Sequence, residues 1–150
     1  MATLLPGILL AASPAFAKDA DDETPGSETF FNGDYLLIGQ EIGNGAPYKG
    51  RAHLEAIGHH KLRLTRTING VTAIEEGVFS ADSVGNEAKT PLPKFNWTDK
   101  RGAGEMFCHV TSNFDNYPLL VCLRYYAQEP KTTPGLESYF PAAVYSVQPD

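Results

Sequence analysis

The chain has 150 residues, 42% of them apolar, and a formal net charge of −6. That length suits one domain with its own core, and the apolar fraction excludes a disordered chain. The acidic balance and the lack of any basic cluster count against nucleic acid as a partner, because affinity for the phosphate backbone comes mainly from Lys and Arg.

Residues 1–17 read as an export signal peptide. An apolar stretch runs from Leu4 to Ala12, and Ala15-Phe16-Ala17 then forms a small-residue cleavage site before Lys18. The stretch is shorter than the roughly 20 apolar residues a membrane-spanning helix needs. Pro6, Gly7 and Pro14 oppose a buried helix. One usual feature is missing: no Lys or Arg stands near Met1. Residues 18–29 are acidic and contain Pro and Gly, so a disordered leader is expected ahead of a single domain at 30–150. The expected location is the periplasm or the cell exterior, with no stable membrane insertion once the signal is removed.

The next segments read as strands. Residues 33–39, GDYLLIG, form a short apolar strand. In APYKGRAHLEAI (46–57), Tyr48, Gly50, Ala52, Leu54 and Ala56 alternate with Lys49, Arg51, His53 and Glu55, the period of a half-buried strand. KLRLTRTI (61–68) alternates again, and Asn69-Gly70 predicts a type I′ hairpin turn into VTAIEEGVFSA. A turn at 82–87 leads to TPLPKFNWT, whose two prolines suit an edge strand or loop.

Residues 104–126 predict a cysteine hairpin. Centring it on Asp115 places Cys108 opposite Cys122, Val110 opposite Leu120, Phe107 opposite Leu123 and His109 opposite Val121. Directly opposed strand residues are close enough for a disulfide, and an even cysteine pair in an exported chain suggests one. Closing this loop is worth roughly 3 kcal/mol in the chain-entropy account. Residues 127–135 read as a loop, and LESYFPAAVYSVQ as a short helical turn followed by a closing strand.

The fold class expected is all-β: a small antiparallel meander of roughly seven or eight strands closing into a barrel, with a two-sheet sandwich as the alternative, since either hides the sheet edges. The opening NGDYLLIG, followed by YKG, a hairpin and NG, resembles the G-x-W entry of lipocalin-type barrels, with Tyr35 where Trp is usual. The resemblance carries no site residue over.

Several residues are candidates for chemistry. Leu54 and Ala56 must share a face with Leu62 and Leu64, which predicts a three-residue loop, Gly58-His59-His60. It pairs Ala56 with Leu62 and Leu54 with Leu64, and leaves His59 and His60 at a solvated tip. Adjacent histidines there are expected to point apart, so no metal site is expected without a third ligand from elsewhere. The same register turns Arg66 inward, opposite Ala73, with Glu75 diagonal to it. A buried Arg needs a partner. The favoured account is a bulge at Glu75-Glu76-Gly77 that turns Glu75 outward and leaves Arg66 near an open barrel end. The alternatives are a ligand cavity containing Arg66, Glu75 and Tyr48, and a purely structural internal ion pair.

Catalytic patterns are absent from the sequence: it has no G-x-S-x-G, no H-E-x-x-H and no Gly-rich phosphate loop. The expectation is therefore a monomeric, exported, non-enzymatic binding protein without a cofactor. It would engage another protein, such as an exported hydrolase it inhibits, or a surface component. The alternative is a small-ligand carrier, and a small hydrolase or isomerase with an unfamiliar site is the third class. A cavity above about 300 Å³ lined by Arg66 favours the carrier. A filled barrel with an exposed aromatic patch favours the protein binder.

Overall fold

The computed structural model describes residues 27–80, 92–114 and 117–144. The export segment, the leader up to residue 26, the turn at 82–87 and the hairpin centre at Asp115 lie outside the described residues.

Eight strands follow a short 3-10 turn, Ser27–Phe31: β1 Gly33–Gln40, β2 Pro47–Gly58, β3 Lys61–Ile68, β4 Val71–Ser80, β5 Leu92–Asp99, β6 Gly102–Phe114, β7 Tyr117–Tyr126 and β8 Gly135–Pro141. They form one closed barrel in chain order, every neighbour antiparallel, with β8 returning to pair with β1. A single closed sheet replaces the sandwich alternative, and closure removes the unpaired edges.

The alternation read in β2 and β3 sets the interior. Ala56 lies opposite Leu62, Leu54 opposite Leu64 and Ala52 opposite Arg66. Leu54, Leu62 and Leu64 are fully buried, each contributing about 1.5–3 kcal/mol of apolar transfer. Leu37, Phe95, Met106, Leu120 and Tyr139 complete the packed interior with the Cys108–Cys122 disulfide. The cysteines face each other across β6 and β7 in the expected register. Around the β2–β3 turn the register shifts by one residue between Ala56 and Gly58, and His60 takes the left-handed conformation (φ 56°). A three-residue loop ending in a left-handed residue has this pattern. At the opposite end of the barrel, Asn69 (φ 51°) and Gly70 (φ 77°) form the expected turn.

Four expectations change. The proline-containing segment at 92–99 is neither edge nor loop but a barrel strand, paired with both β4 and β6. The segment read as a helical turn at LESYFP is strand β8, because β1 and β7 both need a partner to close the ring. The pairing of β3 with β4 runs without a shift from Lys61↔Val78 to Ile68↔Val71, so there is no bulge at 75–77 and Glu75 stays inside. The turn at 27–31, partly assigned to the leader, packs against the barrel: Glu28 and Phe31 are buried, and the Tyr35 hydroxyl donates to the Phe31 carbonyl at 2.9 Å.

One seam is short. β4 pairs with β5 only from Glu76↔Asn96 to Ser80↔Leu92. Beyond it, Val71–Glu75 remain paired to β3 and Trp97–Asp99 to β6, with no β4–β5 pairing recorded among the described residues. The two strands diverge toward the Asn69-Gly70 end and leave a lateral slot.

Candidate functional site

Alternation turns charged or phenolic side chains inward from several strands near that slot. Arg66 comes from β3, Glu75 from β4, Arg124 from β7, Glu137 and Tyr139 from β8, and Tyr48 from β2. Arg66, Glu75, Glu137 and Tyr139 are buried. Arg66 donates through one terminal nitrogen to Glu75 and through the other to Glu137 at 2.6 Å. Arg124 donates to Glu137 at 3.1 Å and to Glu75 at 3.5 Å. The hydroxyls of Tyr48 and Tyr139 both donate to Glu137. Two guanidiniums and two carboxylates thus neutralise one another in the barrel interior, the condition for burying them.

The shifts follow from this geometry. Burial disfavours the charged Arg66, but the carboxylates of Glu137 and Glu75 outweigh it and hold the guanidinium above its ordinary value. Arg124 behaves alike: burial pulls it down, and Glu137 and Glu75 hold it up against the repulsion of Arg66. Tyr48 and Tyr139 are raised, first by burial and then by the negative charge of Glu137.

Two glycines make room for the aromatic members. A Cβ on Gly39 would overlap the edge of the Tyr48 ring, and one on Gly104 the edge of the Trp97 ring. Trp97 lies below the Arg124 guanidinium, 4.3 Å from its ring centre, a cation–π contact, and packs edge-on against Tyr126.

Above this network the slot widens into a pocket of about 540 Å³. Arg66, Glu75 and Arg124 lie at its floor, Trp97 and Gly104 on one wall, and Ala73 and Ile74 on the other. Its lining carries two guanidiniums against four carboxylates, Glu75, Glu76, Asp99 and Glu105, so it is acidic overall. Three polar atoms of the network are shielded both from solvent and from the slot. Nε of Arg66, Nε of Arg124 and Oε2 of Glu75 are buried and make no hydrogen bond among the described residues. Such atoms are uncommon and costly in native interiors.

Of the residues singled out in the sequence, Arg66 and Glu75 are brought together. Tyr48 joins them through Glu137 rather than at the pocket wall. His59 and His60 sit at the other end of the barrel, exposed, with their rings side by side rather than diverging, centroids 3.9 Å apart. Three members of the network were not singled out. Arg124 was readable, since it follows Cys122 by two residues and therefore shares the inward face of β7. Glu137 and Tyr139 were hidden, because Leu136 and Phe140 offer a more apolar face to the same alternation. Glu28 was assigned to the leader.

Searches of protein-family models, of curated proteins and of solved structures find no match to this chain.

Proposed function

We propose that this protein is an exported, non-enzymatic binder of a small polar ligand, held in the slot between β4 and β5. The observation that carries the reading is the pocket of about 540 Å³ whose floor is the Arg66–Glu75–Arg124 network. That volume falls in the range of ligand pockets, about 300–1,000 Å³. The excess of carboxylates disfavours an anion. A neutral or cationic molecule with hydroxyl or amine groups toward the floor, and an apolar body against Ile74 and Trp97, fits the lining. The Cys108–Cys122 disulfide supports an oxidising compartment.

Trp97 is the only tryptophan, so its fluorescence reports the pocket directly. The test is a titration of the full chain with sugars, polyols, amino alcohols and quaternary amines. A saturable change is expected for one class, lost in Ala73→Phe, which fills the slot without replacing any charged residue. If Ala73→Phe binds as the wild type does, or no compound of these classes changes the signal, the slot is not a ligand site.

A second reading, a protein partner, is supported by the outer face of β6 to β8. Phe107 and Tyr125 stack there with centroids 5.8 Å apart, and Lys94 lies over Phe107. Phe107 is opposite Leu123, and Leu123 opposite Leu136, both of them exposed. Half-buried aromatic and exposed aliphatic groups in one row are the composition of an interface centre. Leu123→Glu is expected to abolish a protein complex and leave the slot's ligand response intact.

A further inference from the structure

We propose that Glu28, His59 and His60 form a binding site for a divalent transition-metal ion, Zn²⁺ in the first instance, at the end of the barrel opposite the slot. One ligand atom from each of the three lies within 4.8 Å of the others. The carboxylate comes from the 3-10 turn and the imidazoles from the β2–β3 tip, so the site exists only because the turn docks under that tip. Glu28 is fully buried while both histidines are exposed, which puts a fixed anchor beneath two adjustable ligands.

The local geometry favours shared coordination. Oε1 of Glu28 accepts the His60 backbone N–H and lies 3.1 Å from His60 Nδ1. At metal–ligand bonds of about 2.0–2.1 Å, neighbouring ligands of a tetrahedral ion stand roughly 3.3 Å apart, so this pair is already at coordinating separation. A ligand nitrogen of His59 lies within 4.8 Å of both. Two imidazoles and one carboxylate suit zinc, copper or nickel better than calcium or magnesium, and they leave a fourth position for water.

The test is calorimetric titration of ZnCl₂ into the full chain, purified without a histidine tag, at neutral pH. One saturable site is expected, together with a zinc-dependent rise in melting temperature. His59→Ala is expected to weaken binding by about tenfold or more, whereas His53→Ala leaves it unchanged. Glu28→Gln is read in parallel, with its metal-free melting curve as the check on folding. His59 is exposed, so the His59→Ala result stands even if Glu28→Gln does not fold. Absence of saturable binding, binding of wild-type strength in His59→Ala, or binding of wild-type strength in a folded Glu28→Gln would each overturn the proposal.

Discussion

Glu137→Gln removes the anion on which the interior network converges while preserving its shape. Glu137 is wholly buried and accepts from Arg66 at 2.6 Å, from Arg124 at 3.1 Å and from the hydroxyls of Tyr48 and Tyr139. Hydrogen bonds to charged groups contribute about 1.5–3 kcal/mol each, so the two guanidinium bonds bound the loss at about 3–6 kcal/mol. Removing one partner of a buried ion pair costs about 3–5 kcal/mol by an independent route, through the charge left uncompensated. The glutamine oxygen still accepts, which places the expectation near 3 kcal/mol, or a fall of about 10 °C in melting temperature for a domain of this size. Urea denaturation followed by Trp97 fluorescence, with the slope unchanged, measures it. The double variant Glu137→Gln/Arg124→Met removes one charge of each sign and is expected to be more stable than Glu137→Gln alone. A loss below about 1 kcal/mol, the range of exposed ion pairs, would mean that the network is solvated and the reasoning wrong.

Two further outcomes follow from the same geometry. Alkaline conditions should unfold the protein. Tyr35, Tyr48 and Tyr139 are raised by burial, and Tyr125 is pushed up to about 12 by burial and by its bond to Glu105. The unfolded chain ionises its tyrosines near their ordinary value while the folded chain holds the protons. The stability is therefore complete below about pH 10 and is lost as pH rises toward the folded values. Phenolate absorbance should rise together with loss of the fold, and independent titration of all tyrosines in a folded barrel would contradict this. Gly104→Ala should push Trp97 off the pocket wall, shift its emission and cost about 1–3 kcal/mol by overpacking. Wild-type emission and stability in that variant would show that the wall yields freely.

Strand periodicity and turn chemistry carried much of the fold. The pairing of Leu54 with Leu64, the Asn69-Gly70 turn and the Cys108–Cys122 register all rest on neighbours joined by short hairpins, where a one-residue slip would invert the buried face. Arg66 facing inward is the same kind of inference. Its partners are not. Glu75 is nine residues away, but Glu137 lies 71 residues away and reaches Arg66 only because β8 closes onto β1. In LESYFP the apolar alternation points to Leu136 and Phe140 as the inner pair, yet Leu136 is exposed and Glu137 is buried. Two guanidiniums already inside the ring require a counter-charge, and that requirement overrides local hydrophobicity. Glu28 repeats the lesson at the other end, in a segment whose composition suggests a leader. Period and turn type are local properties of the chain. Which charges meet across the interior, and which turn docks under which tip, are set by closure of the barrel, a condition that no short stretch of sequence contains.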